Sequence, residues 1–275
     1  MPDRYAVIGN PIAHSKSPII HAAFAASTGQ DMSYERLLAP RDGFRAVVEQ
    51  FAAEGGRGLN VTIPFKLEAF DIAAAATERA RLAGAVNTLK RVGDVWHADN
   101  TDCVGLVRDL AANLGVDVRG RAIAILGAGG AVRGIVKPLL DAGAASVTVS
   151  NRTMSKAEAI AATFSRYGRV EAVAPEGFGD RRHEIVVNAT SLGMGGVDVA
   201  EFPFAGSIFA PRAFAYDLIY SDRPTPFMRW ARAHGAAGAS DGMGMLIEQA
   251  AESFALWRGV RPDTKPVFAL LRPGR

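Results

Sequence analysis

Short apolar runs alternate along the chain with longer stretches whose apolar residues return every three or four positions, the pattern of strands alternating with helices. Tyr5 to Gly9 reads as a strand. Pro18 to Ser27 reads as a helix with Ile19, Ile20, Ala23 and Phe24 on one face. Ser33 to Leu38 is a second strand, followed by a helix over Asp42 to Glu54 with Asp42 as its expected N-cap. Gly58 to Thr62 is a third strand, closed by Pro64. Helical stretches are expected at Leu67 to Ala76 and Thr77 to Leu82, then a strand from Asn87 to Val92 turned at Gly93-Asp94. Thr101 opens a helix to about Asn113.

A second series begins at Arg121 to Leu126, an apolar strand running into Gly127-Ala128-Gly129-Gly130 and a helix to about Ala142. Strands are expected at Ser146 to Ser150, Glu171 to Ala174, Glu184 to Asn188 and Ala213 to Ile219. Helices are expected at Thr153 to Tyr167, Thr225 to His234 and Met243 to Arg258. Such alternation points to an α/β fold of parallel sheets with crossover helices, in two domains with a boundary near residue 103. Chain order does not decide which half the last helix joins.

Composition narrows the class. The chain has 275 residues, 49% hydrophobic and 21% charged, enough to bury a sizeable core. The longest stretch without a charged residue, Ser17 to Gln30, contains His21 and falls short of the roughly 20 apolar residues of a membrane span. The N-terminal residues lack an apolar signal core, so a cytoplasmic location is expected. Cys103 is the single cysteine, which rules out a disulfide within the chain. The 31 basic and 28 acidic residues leave a net charge of +3. The basic residues are scattered, and Arg181-Arg182-His183 reads as a surface turn, so no nucleic-acid partner is expected. His97, His183 and His234 lack metal-ligand spacing, and no metal site is expected.

The glycine turn after Leu126 follows a strand and opens a helix, the setting in which backbone N–H groups approach a pyrophosphate. The third glycine position is held by Val132, where a smaller residue is usual. An NAD site calls for an acidic residue about 20 positions on, at the end of the next strand. This chain has Asn151-Arg152-Thr153-Met154-Ser155-Lys156 there, with cations and no carboxylate. Arg152 and Lys156 suit a 2′-phosphate, which favours NADP over NAD.

Residues 9–18 place Ser15 and Ser17 before the helix at Pro18. Ser17 alone is an ordinary N-cap, whereas two serines at a helix start also suit a carboxylate. Residues 60–66 put Asn60 and Thr62 on one face of a strand end, with Lys66 beyond a proline turn. Residues 99–102 read Asp-Asn-Thr-Asp. A lysine and an aspartate brought together make a proton-transfer pair.

The segments GNPIAHSKSP, NVTIPFK, GAVNT, DNTD, GAGGA, NRT, NATSLGM, YDLIY and DGMGMLIEQA occur in order from one end of the chain to the other. Together they resemble the shikimate dehydrogenase family. The resemblance implies an N-terminal α/β substrate domain, residues 1–102 plus 240–275, and a Rossmann-like NADP domain, residues 103–239, with the last helices returning to the substrate domain. It implies reversible reduction of 3-dehydroshikimate to shikimate with NADPH. By motif, Lys66 and Asp102 are the catalytic pair. Ser15, Ser17 and Tyr220 hold the substrate carboxylate, while Thr62, Asn87, Asp102 and Gln249 bind ring hydroxyls. Gly127, Ala128, Gly129, Gly130 and Ala131, with Asn151, Arg152, Thr153 and Lys156, hold NADP. Leu218 and Gly242 line the nicotinamide side, and Glu78 lies beside the cofactor.

Val132 and Cys103 depart from the family pattern, and Cys103 reads as a small buried filler. A quinate or aminoshikimate dehydrogenase is the nearest alternative, disfavoured by Asn151-Arg152-Thr153 and Ser17. A non-catalytic NADP-binding regulator would be expected to lack Lys66 or Asp102. Monomer and homodimer both remain open.

Overall fold

A computed structural model describes residues 2–199 and 201–272. In chain order the elements are β1 (Asp3–Gly9), α1 (Ser17–Thr28), β2 (Met32–Leu38), α2 (Phe44–Ala53), β3 (Gly56–Val61), α3 (Glu68–Asp71), β4 (Ala75–Ala76), α4 (Glu78–Ala83), β5 (Thr88–Val92), β6 (Val95–Asp99), α5 (Asp102–Arg108), β7 (Ala122–Leu126), α6 (Gly130–Asp141), β8 (Ser146–Ser150), α7 (Met154–Phe164), β9 (Val170–Val173), β10 (His183–Asn188), β11 (Phe209–Asp217), α8 (Pro226–Ala233), β12 (Gly238–Ser240), α9 (Met243–Arg258) and α10 (Lys265–Leu271). They form two compact units, one of residues 1–105 and 246–275, the other of residues 106–245.

The first unit is built on a six-stranded sheet in the order β2-β1-β3-β5-β6-β4. It is not the parallel sheet that strand-helix alternation suggests. Strands β2, β1 and β3 are parallel, but β5 runs antiparallel to both β3 and β6. The reason is local. Gly93, in the left-handed region at φ 58°, turns the chain straight back, so β5 and β6 form a hairpin where a parallel pairing needs a crossover. The segment Val95–Asp99 escapes the sequence reading because its inward positions are Trp96 and Ala98 among polar neighbours.

Two other expectations yield to tertiary contacts. The helix expected over Leu67 to Ala76 is confined to α3, because Ala75 and Ala76 pair with His97 and Ala98 of β6. Alanine is the best helix former, but helix propensity is a weak preference that pairing at a sheet edge overrides. Helix α2 begins at Phe44 with Gly43 at the cap and no side-chain cap bond, so Asp42 does not cap it. The helix opening near Thr101 starts at Asp102 and ends its regular part at Arg108, where a wider π-type turn carries it to Asn113.

The core of this unit joins Ile8, Phe44, Phe51, Leu59, Phe65 and Leu89. Helix α9 lies on the same sheet because Gly58 leaves room for it: a Cβ there would sit 2.5 Å from the Trp257 ring. Trp257 donates its indole N–H to the Leu89 carbonyl at 3.0 Å and stacks on Tyr5 at 4.8 Å. Burial of this ring pair fixes which side chains of α9 face the sheet.

His21, on α1, is fully buried and stacked on Tyr34 at 4.2 Å, with neither ring nitrogen hydrogen-bonded. Burial lowers its pKa to about 3. Since the unfolded imidazole titrates near 6.5, the neutral buried ring contributes fully above that pH and loses its contribution as pH falls toward 3. The expected cost is roughly 3 kcal/mol by pH 4, so His21→Phe moves the acid-unfolding midpoint to lower pH. Urea melts across that range check this; parallel loss in both proteins excludes His21 as a source.

The second unit is a six-stranded, wholly parallel sheet in the order β12-β11-β10-β7-β8-β9. Counted from β7 this is the doubly wound dinucleotide-binding order, with the chain reversing direction across the sheet between β7 and β10. Its core includes Leu126, Phe178, Phe202, Phe204, Phe209, Phe227 and Trp230. Those phenylalanines are packing residues. Val132 is fully buried on α6. Among the described residues, no helix is long and apolar enough to cross a membrane.

Candidate active site

The catalytic candidates sit where β3 and β6 end and β5 and α5 begin. After Val61 the chain turns through Thr62-Ile63-Pro64-Phe65, closed by the Phe65 N–H donating to the Thr62 carbonyl at 3.0 Å. Phe65 is buried in the core and anchors this turn. The next residue, Lys66, accepts the Val86 N–H on its carbonyl at 2.8 Å, which ties NVTIPFK to GAVNT. The Lys66 Nζ then donates to Asp102 Oδ2 at 2.5 Å, with side-chain exposures of 21% and 10%. An ion pair so shielded is far stronger than one on the surface.

Asn87 holds the other side of that carboxylate. Its Oδ1 accepts the Thr101 backbone N–H at 2.7 Å, which fixes the amide's orientation. Its Nδ2 therefore donates, to Asp102 Oδ1 at 2.8 Å and to Gln249 Oε1 at 3.2 Å. Four of the predicted residues, Lys66, Asp102, Asn87 and Gln249, thus form one hydrogen-bonded cluster.

The loop presenting Asp102 is itself clamped. Arg79 donates to Asp99 from Nε at 2.6 Å and Nη2 at 2.5 Å, and the Thr77 hydroxyl adds a third bond at 2.6 Å. Burial opposes the Arg79 charge, but Asp99 outweighs it and raises the guanidinium above its ordinary range. Asn100 ties the loop to Ala85 at 3.0 Å and receives the Asp102 N–H at 3.2 Å. Cys103 is buried, its thiol donates to the Asn100 carbonyl at 2.9 Å, and burial pushes its pKa up to about 12. It packs and takes no part as a nucleophile.

Ser15 and Ser17 are both buried at the start of α1. The helix begins at Ser17 itself, after Lys16, so Ser17 is not the cap. Lys16 is the cap and makes no side-chain cap bond; Ser15, before it, accepts the Ser17 N–H on its Oγ at 3.3 Å, while Arg36 grips the Ser15 carbonyl at 2.6 and 3.0 Å. Thr62 lies against Gly9, where a Cβ would meet its methyl at 2.5 Å, so the loop toward Ser15 runs beside the β3 end. Glu78 is exposed in the first turn of α4, on this unit.

In the second unit, Gly127 has φ 113° and a Cβ there would lie 2.8 Å from the Ala189 carbonyl, so glycine is required by the protein itself. Gly129 differs. Its φ is an ordinary −80°, and no protein atom lies within 4 Å of a Cβ built on it. Neither backbone nor packing demands glycine there, so the open space over the α6 N-terminus fits a close-lying phosphate group. The Gly127 N–H donates to the Ser150 carbonyl at 2.7 Å, which sets the glycine turn beside Asn151-Arg152-Thr153. Asn151 stiffens that loop by donating to the Thr153 carbonyl at 2.9 Å. Arg152, Thr153 and Lys156 are exposed, and among the described residues neither cation has a carboxylate partner. Ala128 and Ala131, flanking the turn, are half-buried. These residues suit an adenosine 2′-phosphate and a pyrophosphate.

Leu218 and Gly242 also meet: a Cβ on Gly242 would lie 2.4 Å from the Leu218 carbonyl. Tyr220 follows, half-buried. The loop is fixed through Asp217, which accepts from Thr225 at 2.6 Å, Asn188 at 2.9 Å and the Ile219 N–H at 3.1 Å. Burial pushes the Asp217 carboxyl up to about 6.

Sequence reading passed over the supports behind the cluster: Arg79, Thr88, Thr101 and Ser253. Only Ser253 carries a spacing signal, four residues after Gln249 on one helix face.

Three family models match the chain: the shikimate dehydrogenase substrate binding domain over residues 7–89, shikimate / quinate 5-dehydrogenase over residues 109–191, and the shikimate 5′-dehydrogenase C-terminal domain over residues 242–272. The chain is 54% identical over 272 residues to the shikimate dehydrogenase (NADP(+)) of Thioalkalivibrio sulfidiphilus, covering 98% of each. It is 54% identical over 273 residues to that of Chromobacterium violaceum, covering 99% of this chain and 98% of the relative. A solved structure of shikimate 5-dehydrogenase from Thermus thermophilus, in complex with NADP(H) and shikimate, superposes with a TM-score of 0.84 at 35% identity, over 95% of each chain.

Proposed function

The chain belongs to the shikimate dehydrogenase family, and from that premise we propose how its residues divide the work of an NADP-dependent oxidoreductase acting on shikimate. The observation that carries the assignment is the Lys66–Asp102 ion pair, shielded and held by Asn87.

NADP supplies the hydride acceptor when bound, and NADPH the donor in reverse. Lys66 handles the proton. In the reducing direction its Nζ–H gives a proton to the substrate carbonyl oxygen as negative charge grows there. In the oxidising direction the same nitrogen takes the hydroxyl proton. Asp102 orients that nitrogen and accepts a substrate hydroxyl. Ser15, Ser17 and Tyr220 bind the substrate carboxylate. Thr62, Asn87 and Gln249 read ring hydroxyls, which makes analogues lacking them poor substrates.

The unit of residues 1–105 and 246–275 is the substrate domain and that of residues 106–245 the NADP domain, in this reading. Gly127 to Ala131 and Asn151 to Lys156 hold NADP, Leu218 and Gly242 line its nicotinamide side, and Glu78 contributes from α4. Purified protein given shikimate or quinate, each with NADP or NAD, tests the assignment by formation of reduced cofactor. Turnover is expected for shikimate with NADP. Faster turnover of quinate, or with NAD, overturns the specificity, and no turnover despite NADP binding makes the protein a binding module.

A further inference from the structure

Behind the catalytic pair the first unit carries a buried polar network that the proton chemistry above does not use. Thr88 is fully buried at the start of β5, Ser253 is fully buried on α9, and Asn60 is 5% exposed at the end of β3. The Asn60 donations have a defined direction, whereas in the Thr88–Ser253 hydroxyl pair, 2.8 Å apart, either oxygen can be the donor. Asn60 Nδ2 can only donate, and it donates to Thr88 Oγ1 at 3.2 Å and Ser253 Oγ at 2.9 Å. The Ser253 hydroxyl gives its own proton to the Gln249 carbonyl at 3.0 Å. The Thr88 hydroxyl gives its proton to Asn87 Oδ1 at 2.9 Å.

Asn87 Oδ1 therefore has two close donors, the Thr101 backbone N–H at 2.7 Å and the Thr88 hydroxyl at 2.9 Å, with the Thr101 hydroxyl farther off at 3.2 Å. An amide oxygen has two lone pairs, so it is saturated. Both Nδ2 protons are then left for the other side, where Asp102 Oδ1 at 2.8 Å, Thr101 Oγ1 at 2.9 Å and Gln249 Oε1 at 3.2 Å accept them. The direction runs unbroken from Asn60 through Thr88 and Asn87 to Asp102, whose second oxygen receives Lys66. Such chains polarise each link.

We propose that Thr88 is a positioning residue for the reaction: its hydroxyl locks the Asn87 amide, and through it aims the Asp102 carboxylate at Lys66. The inference rests on the functional reading above. Ser253 supports the same arrangement by accepting the second Asn60 proton and holding Thr88 Oγ1 at 2.8 Å.

Thr88→Val keeps the branched shape a strand prefers and removes only the hydroxyl. The expected result is a kcat for shikimate oxidation lower by about tenfold, with KM moved by less than about threefold. Thr88→Ser restores the hydroxyl without the methyl and is expected to return kcat to within about twofold of the unmodified protein. A packing role predicts the reverse, since serine leaves the larger void. A second readout does not require turnover. The Asn87 side-chain amide protons, followed by 15N NMR, are expected to exchange with solvent at least about tenfold faster in Thr88→Val than in the unmodified protein or Thr88→Ser. Ser253→Ala is expected to shift both readouts in the same direction by a smaller factor, and serves if Thr88→Val does not fold. Unchanged kcat and unchanged amide exchange in these variants overturn the inference, as does a Thr88→Ser protein impaired like the valine. If the unmodified protein turns over no shikimate, the functional reading fails, and the amide exchange alone then decides whether Thr88 locks Asn87.

Discussion

Lys66→Met lowers kcat for shikimate oxidation by about three orders of magnitude, within the 10²–10⁴ expected for loss of a general acid–base, and leaves KM within about threefold. Methionine keeps the length and much of the volume of the side chain, so the turn after Thr62 and the Phe65 anchor stay in place. What is lost is the only group donating to Asp102 Oδ2 in the cluster. In the proposed assignment substrate recognition is spread over Ser15, Ser17, Thr62, Asn87 and Gln249. The lysine of that assignment acts where charge changes during the reaction, so its absence is expected to be felt in the transition state far more than in binding. Initial rates at saturating NADP over a range of shikimate concentrations check this. A KM raised severalfold or more at unchanged kcat would make Lys66 a binding group and remove it from the proton transfer. Circular dichroism of the variant establishes that the fold is intact.

Arg152→Ala raises the Kd for NADP by about 10–100-fold and leaves the much weaker binding of NAD nearly unchanged. Arg152 is exposed, stands on a loop stiffened by Asn151, and has no carboxylate partner among the described residues, so it loses little solvation and breaks no ion pair on meeting an anion. A 2′-phosphate offers two charge-assisted bonds to the planar guanidinium, whereas the NAD ribose has only a hydroxyl there. Titration of each cofactor against the variant by calorimetry separates the two. Equal weakening of NADP and NAD would show that Arg152 contacts a part common to both. Lys156, on the next turn, gives a smaller loss of the same kind because its ammonium is a single, strongly hydrated point charge.

The sites rest on different kinds of local order. The candidate phosphate cradle is nearly a local property: a strand, a turn and a helix contiguous in sequence bring Gly127, Gly129 and the α6 N-terminus together, and Gly129 has room above it. The candidate catalytic cluster is non-local. Lys66 and Asp102 are separated along the chain, Gln249 comes from α9, and what unites them is the sheet order, the Trp257 ring lying over Gly58, and the Arg79 clamp on Asp99.

The sequence carries the α/β class, the glycine turn with its cationic follow-on loop, and the residue types of the candidate site, because each is written in neighbouring residues or in motif order. It also placed most strands and helices, whose apolar spacing reports one buried face. Packing between distant segments made the first sheet mixed, since the β5–β6 hairpin depends on pairing partners as well as on Gly93. It decided that Ala75 and Ala76 extend in a sheet edge, that Lys16 and not Ser17 is the cap of α1, and that the cap of α2 is Gly43. It alone oriented the Asn87 amide, because that choice depends on a backbone N–H of Thr101 and a hydroxyl of Thr88 reaching the same oxygen. Short-range propensities differ by fractions of a kcal/mol, whereas leaving a buried donor or carboxylate without its partner costs about 1–3 kcal/mol, so where the two compete the distant partner wins.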